Sequence, residues 1–298
     1  MDQSYELWWS SLDSYWKLKI AKGASDKRAI ILKNKYSSKD IETMSNKVRK
    51  LTFFDRNEEM SDVPDLSLLI NLTELHIGSE CKINNLDNLQ TCKYLTYLSI
   101  FNSEIDKIEF VSSMKSLKKL QLFTTKISNL NCLSSLLNLE YLAFTKHYID
   151  TVIRITDLTP ISTLRNLKVL HISQDIENIE PIMTLENLEE FSYRQITSFE
   201  PLRNLKKLKK VFVMFESRSC VKDLEPLSKL NVLEHLDISY SEVQDLKPIY
   251  DLKSLKLFVY KDTPLSFEQK SIWKKLLGRT EVQKFKKKNP NCEVRNYK

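Results

Sequence analysis

Asp223-Leu-Glu-Pro226-Leu-Ser-Lys-Leu-Asn-Val-Leu233-Glu-His-Leu236-Asp-Ile238 is followed a short way on by Asp245-Leu-Lys-Pro248-Ile-Tyr-Asp-Leu-Lys-Ser-Leu255-Lys-Leu-Phe-Val259. In both stretches a proline stands seven residues ahead of a leucine, and Pro160, Pro181 and Pro201 stand in the same relation to Leu167, Leu188 and Leu208. A fixed spacing repeated five times marks a tandem array. Traced backward, the leucine position reads Val48, Leu72, Leu95, Leu117, Leu139, Leu167, Leu188, Leu208, Leu233 and Leu255, at intervals of 24, 23, 22, 22, 28, 21, 20, 25 and 22 residues. That period, over about ten units, is long enough for one supersecondary element per unit of a stacked repeat architecture.

Each unit opens on an apolar residue, two variable residues, an apolar residue, one variable residue and an apolar residue, as in Leu117, Leu120 and Leu122. The closing alternation predicts a short strand with one buried face. A second apolar phrase steps by about three, through Val243, Leu246, Ile249 and Leu252, and likewise through Ile127, Leu130, Leu133 and Leu136. Such steps suit a 3₁₀ or helical return. Proline fits near its start, because the ring fixes φ and the missing N–H has no partner there. One strand, turn and return cannot bury its apolar side alone, so neighbours must stack and share a core.

These phrases resemble the bacterial leucine-rich repeat proteins with internalin-like repeats, which are themselves similar to the repeats of protein-phosphatase regulatory subunits. The matching segments are Asp157-Leu-Thr-Pro-Ile161, Asp223-Leu-Glu-Pro-Leu227 and Asp245-Leu-Lys-Pro-Ile249, with looser versions at Asn178 to Ile182 and Ser198 to Leu202. The resemblance covers roughly Val48 to Tyr260. It implies an α/β solenoid, a leucine-rich repeat horseshoe with parallel strands on its concave face. Fold does not by itself carry function. The chain departs from the family pattern in two ways. Ser103, Thr125, Asp175 and Ser241 stand where an asparagine ladder often follows the strand, and early units such as Asn85-Leu-Asp-Asn-Leu89 and Asn129-Leu-Asn-Cys-Leu133 lack the proline.

The ends differ from the middle, so the expected domains are a helical N-terminal cap over 1–47, the array over 48–262 and a basic C-terminal cap over 263–298. Trp8, Trp9 and Trp16 stand with Leu7, Leu12, Tyr15 and Ile20 at spacings that gather many of them on one helical face. Ser37-Ser-Lys-Asp offers a start signal for a helix over 38–46, with 26–35 as a competing stretch. A cap keeps the first repeat's apolar end out of water. The alternative is a tryptophan-rich helix that docks on a membrane or partner, although Asp2, Glu6 and Asp13 suit anionic lipid poorly. At the other end Phe267, Ile272, Trp273, Leu276 and Leu277, then Val282 and Phe285, precede Asn289-Pro-Asn-Cys-Glu-Val294. The resemblance reads this as a closing helix and a last strand centred on Cys292 and Val294.

Residues 263–298 carry ten basic and three acidic side chains, a surplus equal to the +7 of the whole 298-residue chain. The densest part is Lys284, Lys286, Lys287 and Lys288. It reads either as the solvated face of a helix or as a surface for nucleic acid or an acidic partner. The array is charge-balanced, so no basic stripe for nucleic acid is expected there. Only three glycines occur, and no phosphate-cradling fingerprint is present. Cys81, Cys92, Cys132, Cys220 and Cys292 make an odd count without a Cys-x-x-Cys pair, which argues against a disulfide framework or structural zinc. No basic-then-apolar leader and no membrane-length apolar run is found. The expectation is a cytoplasmic bacterial protein, monomeric and without cofactor or metal; secretion without a signal remains an open alternative.

Apparent chemical sites fail on geometry. His76, His171 and His235 fall on the strand face, yet stacked strands lie about 4.8 Å apart, so His76 and His171, four units apart, stand on the order of 20 Å from each other. His235, Asp237 and Ser239 alternate along one strand, but residues two apart are separated by about 6.5–7 Å, beyond the reach that a nucleophile and its base need. The neighbours Glu58-Glu59 and Glu189-Glu190 read as solvated surface. No nucleophile, base and oxyanion donor converge, so an enzyme is not expected.

The array does supply a broad face. Its variable positions in and just after the strand include Phe54, Tyr97, Phe101, Lys119, Gln121, Phe123, Tyr141, His171, Glu190, Arg194, Lys210, Phe212, Met214, His235, Asp237 and Tyr240. We single out Tyr97, Phe101, Phe123, Tyr141, His171, Arg194, Phe212, Met214, His235 and Tyr240 as candidate contacts to a protein partner, because aromatic side chains and arginine are enriched at interfaces. The competing reading has some rings covering neighbours on a crowded sheet. Two units are long, with about six extra residues between Phe144 and Ile155 and about three near Glu216 to Cys220. Insertions in repeats map to one side and often bind; drift in loop length is the alternative. The expected function is a non-enzymatic protein-binding scaffold, the alternative a bacterial effector or toxin antidote acting through the same surface.

Overall fold

The computed structural model describes residues 4–25, 36–53, 63–78, 85–101, 105–123, 126–145, 155, 157–176, 178–214, 219–268 and 280–296. The competing helix over 26–35, Phe54, the pair Glu58-Glu59, Cys81, Ser103, Thr125, the apolar run Ile272 to Leu277 and most of both long loops lie outside these residues. The chain divides into two compact units, Met1–Ile127 and Ser128–Lys298.

In the first unit, helices α1 (Ser4–Ser11), α2 (Ser14–Gly23) and α3 (Ser38–Ser45) precede strands β1 (Lys50–Phe53), β2 (Glu74–Ile77), β3 (Tyr97–Phe101) and β4 (Lys119–Phe123). The strands pair in parallel and in chain order. Their register places Leu51, Leu75, Leu98 and Leu120 in one row and Phe53, Ile77, Ile100 and Leu122 in a second. Every member of both rows is buried, which is the common interior that the leucine spacing requires.

The helices close the β1 edge, which would otherwise present unpaired backbone and apolar surface to water. The Trp16 ring lies 4.5 Å from that of Phe53, and Trp8 donates its indole N–H to the Asp65 carbonyl at 2.6 Å. Gly23 permits this close approach, since a Cβ there would stand 3.0 Å from the Lys50 carbonyl oxygen. Asp13 caps α2 by accepting the Trp16 N–H at 2.8 Å. Ser37 and Asp40 form a reciprocal capping box on α3, the start signal read in the sequence.

The second unit contains β5 (Tyr141–Thr145), β6 (Val169–Asp175), β7 (Glu190–Gln195), β8 (Lys210–Val213), β9 (His235–Asp237), β10 (Leu257–Val259) and β11 (Glu293–Arg295), with helices α4 (Pro264–Glu268) and α5 (Glu281–Lys288). Its strands also pair in parallel and in chain order. Leu142, Leu170, Phe191, Val211, Leu236, Phe258 and Val294 form its central row; the first six are buried.

Return segments are 3₁₀ helices, among them Thr159–Thr163, Glu180–Thr184, Glu200–Leu202, Glu225–Leu227 and Lys247–Ile249, each with its proline in the first turn. The acidic or amide residue that opens each phrase has a mechanical role. Asp157 accepts the Thr159 N–H at 2.7 Å, Asp223 that of Glu225 at 2.8 Å and Asp245 that of Lys247 at 2.8 Å. Asn178 and Ser198 do the same for Glu180 and Glu200, at 2.8 and 3.0 Å. A short side-chain acceptor thus satisfies an N–H that the tight turn leaves without a backbone partner.

Successive repeats are further tied by polar side chains that precede the strand. Asn71, Asn166 and Asn187, each one residue ahead of the leucine that opens its repeat, donate to the carbonyls of Asn46 at the end of α3 and of Leu137 and Arg165 in the preceding repeat, at 3.0, 2.9 and 2.7 Å. Hydroxyls of Ser113, Thr163 and Thr184 reach the carbonyls of Gln90, Ser134 and Ser162 at 2.9, 3.1 and 2.8 Å. The expected ladder after the strand is sparser: Ser241 accepts the Val243 N–H at 3.4 Å. Ser219, which the sequence reading passed over, donates to the Ile196 carbonyl at 2.9 Å.

At the C-terminal end, Val282 and Phe285 of α5 are buried, with the Phe285 ring 5.1 Å from that of Phe258. Cys292 is buried immediately before β11 rather than inside it. No helix among the described residues is long and apolar enough to cross a membrane.

Candidate binding face

Residues that alternate with the buried leucines project to the other side of each sheet, since successive side chains on a strand point to opposite faces. Of the ten candidate contacts, Tyr97 and Phe101 lie on β3, Phe123 on β4, Tyr141 on β5, His171 on β6, Arg194 on β7, Phe212 on β8 and His235 on β9. Met214 and Tyr240 follow β8 and β9. All ten are half-buried rather than exposed. Ala143, His171, Ser192 and Phe212 are register neighbours; Ala143 and Ser192 are fully covered, and the His171 and Phe212 rings meet edge-on at 5.7 Å across Ser192. The competing reading, in which rings shelter neighbours, therefore describes part of what these side chains do.

In the first unit, Lys50 pairs with Glu74 at 3.2 Å, and the His76 ring meets Tyr97 edge-on at 4.5 Å. The Lys119 ammonium sits 4.6 Å above the Tyr97 ring, and the Tyr97 hydroxyl donates to Gln121. Phe101 and Phe123 stack with centroids 3.9 Å apart. Burial, followed by the positive charge of Lys50, holds the His76 imidazole below its usual pKa. The Lys50 hydrogen bond holds Glu74 below the ordinary carboxylate value against the opposing effect of burial. Both shifts favour a neutral histidine beside an ionised carboxylate at neutral pH.

In the second unit a polar chain crosses four strands. Tyr141 Oη lies 3.2 Å from His171 Nδ1, His171 Nε2 lies 2.9 Å from Glu190 Oε1, and Lys210 Nζ donates to Glu190 Oε2 at 3.0 Å. The expectation that Glu190 is merely solvated is corrected here, since its carboxylate is half-buried between two donors. Glu189 turns elsewhere and pairs with Lys209 at 2.7 Å. Burial alone would push Glu190 up, but the hydrogen bonds from Lys210 and His171 outweigh it and leave the pKa depressed. Its stabilising contribution is therefore present above the unfolded-state pKa and lost as pH falls through the folded-state value. Glu190→Gln is expected to flatten the fall in urea midpoint between about pH 6 and about pH 3; an unchanged acid limb would refute the assignment.

The His235, Asp237 and Ser239 series is occupied by backbone instead. Asp237 accepts the Ser239 N–H at 2.8 Å, and the Ser239 hydroxyl oxygen accepts the Lys261 N–H at 3.0 Å. Burial pushes the Asp237 carboxyl up, against those Ser239 bonds. Tyr240 adopts a left-handed backbone conformation, φ 62°, unusual for a bulky residue. Its N–H donates to the Lys261 carbonyl at 2.7 Å, and the Lys261 ammonium lies 5.4 Å from its ring.

The sequence reading missed Glu74 and Lys50, although the two-residue step from Glu74 to His76 places both on one face. Lys261 was beyond reach, since its position depends on the Tyr240 backbone. Among the described residues no group of three or more histidine, cysteine or acidic side chains is arranged to hold a metal ion.

No protein-family model and no curated protein matches the chain. Solved structures do match, and they establish a leucine-rich repeat fold. An internalin of Listeria monocytogenes is similar with a TM-score of 0.54 and 20% identity, over 82% of this chain and 84% of the other. A leucine-rich repeat protein of Leptospira interrogans is similar with a TM-score of 0.57 and 21% identity, over 86% of this chain and 74% of that one. The leucine-rich repeat ectodomain of the Arabidopsis thaliana receptor kinase GASSHO1/SCHENGEN3, solved in complex with Casparian strip integrity factor 2, is similar with a TM-score of 0.55 and 16% identity. This chain covers 28% of that ectodomain.

Proposed function

We propose that this leucine-rich repeat chain is a non-enzymatic scaffold that binds a protein partner through its sheet faces. The observation that carries the reading is the chain Tyr141, His171, Glu190 and Lys210 with Phe212 beside it: half-exposed aromatic and charged groups already held by one another on packed strands. Side chains fixed before binding lose less entropy when a partner arrives, and aromatic residues supply much of the energy at protein interfaces. The plant receptor ectodomain, which shares the fold and is seen in complex with a partner, supports a binding role for such a fold. In this reading residues 1–47 and 263–298 serve as caps, and the intervening repeats do the recognition. An effector or antidote acting through the same surface differs only in the partner captured.

Phe101→Ser, Phe123→Ser and Phe212→Ser combined are expected to abolish capture of partners in pull-downs resolved by mass spectrometry. None of the three is in the buried rows, so the variant should keep its parallel-sheet circular dichroism. Recovery of an unchanged set of partners by the folded variant ends this reading.

A further inference from the structure

The lysines of the sheets are largely neutralised across repeats: Lys168 by Glu140 at 2.7 Å, Lys209 by Glu189 at 2.7 Å and Lys256 by Glu234 at 2.9 Å. Helix α5 is different. Lys286, Lys287 and Lys288 are exposed and have no acidic partner among the described residues. Their direction is fixed, because Val282 and Phe285 are buried, Thr280 and Gln283 cap the first turn reciprocally, and the Lys253 ammonium donates to the Lys288 carbonyl at 3.0 Å. Asn289 adds a bond to the Tyr250 carbonyl at 3.0 Å. Two residues along a helix turn the side chain by about 200°, so Lys287 points almost directly away from buried Phe285, with Lys286 and Lys288 on opposite flanks.

We propose that this face of α5 is a docking surface for an acidic polypeptide segment. The lysines complement the carboxylates of such a segment, and the packed helix holds them together without a partner's help. Single-stranded nucleic acid sites combine cations with aromatic platforms for the bases. Among the described residues, Phe285, Phe258 and Tyr260 beside α5 are buried, and Tyr250 is half-buried with its hydroxyl bonded to Glu281 at 2.7 Å. A duplex needs a basic stripe that tracks its backbone, whereas Lys168, Lys209, Lys210 and Lys256 in or beside the strands are paired with glutamates. A compact cluster of cations with no exposed ring beside it among the described residues suits a few carboxylates. The proposal stands apart from the sheet-face reading and survives its failure.

The test is fluorescence anisotropy of labelled octaglutamate with the full chain at about 50 mM and about 300 mM salt. Lys286→Gln/Lys287→Gln/Lys288→Gln is compared with Lys93→Gln/Lys107→Gln/Lys229→Gln, which removes the same charge from exposed positions elsewhere. The expected result is roughly tenfold weaker binding for the helix variant and little change for the control, with binding that weakens at the higher salt. Octathymidylate should bind more weakly than octaglutamate. Equal losses in the two variants, no octaglutamate binding at low salt, or equal or tighter binding of octathymidylate would each overturn the proposal. Lys287→Glu alone, opposite the buried face, repeats the comparison should the triple variant lose its fold.

Discussion

Phe191→Ala is expected to lower the unfolding free energy by about 3–5 kcal/mol, whereas Phe212→Ala on the adjacent strand should cost only about 1 kcal/mol. The two residues have the same chemistry and opposite positions. Phe191 is fully buried, lies between Leu170 and Val211 in the central row and stacks on Tyr193 with centroids 5.8 Å apart. Its removal forfeits transfer energy and leaves a void that strands locked in register on both sides cannot close. Phe212 is half-buried and touches His171 edge-on, so water replaces most of what it loses. Urea-unfolding midpoints of the two variants decide the matter. Comparable costs would mean that the assignment of core and face is wrong.

That assignment was legible because two constraints in the sequence agree. The leucine period fixes the repeat, and the alternation after each leucine fixes which side is buried. Pro160, Pro181, Pro201, Pro226 and Pro248 marked the returns for the reason anticipated, a position where a missing N–H costs nothing. The residues that bond between repeats were less visible. Asn166 and Asn187 look like ordinary loop polar residues until the preceding repeat's carbonyl is placed beside them. Even so, the Glu190 network was within reach: Glu190 and Lys210 stand at the same offset from Leu188 and Leu208, so parallel stacking in register makes them neighbours. Both are recognisable as face residues from the repeat pattern, and only their pairing needs the register. The covering of Ser192 was harder to foresee, since it arises from side-chain directions on three strands at once. The left-handed backbone of Tyr240 carried no signal, because such a conformation is ordinarily signalled by glycine or asparagine.

Tyr193→Phe is expected to stabilise the protein by about 1–2 kcal/mol, an unusual sign for a substitution in a core. Tyr193 is 1% exposed, with its ring against Phe191 and Phe199 at 5.8 and 5.9 Å. Its hydroxyl has no hydrogen-bond partner among the described residues. A buried hydroxyl that gives up water and gains nothing costs folding free energy, and phenylalanine keeps the ring contacts while removing that cost. Alkaline pH supplies a second signature. Burial, reinforced by the charge of Asp237, pushes the Tyr193 phenol far above its ordinary pKa, so the folded protein retains a proton that the unfolded chain releases. Stability from this residue is complete below the unfolded-state value of about 10 and declines as pH rises beyond it. Tyr97 and Tyr260 are also raised by burial, but they are common to both proteins and cancel in the comparison. The advantage of Tyr193→Phe over the parent should therefore widen between about pH 8 and about pH 10.5 in urea titrations. A variant less stable than the parent at neutral pH would show that the hydroxyl is satisfied after all, and that this strand does not carry the frustrated group assigned to it.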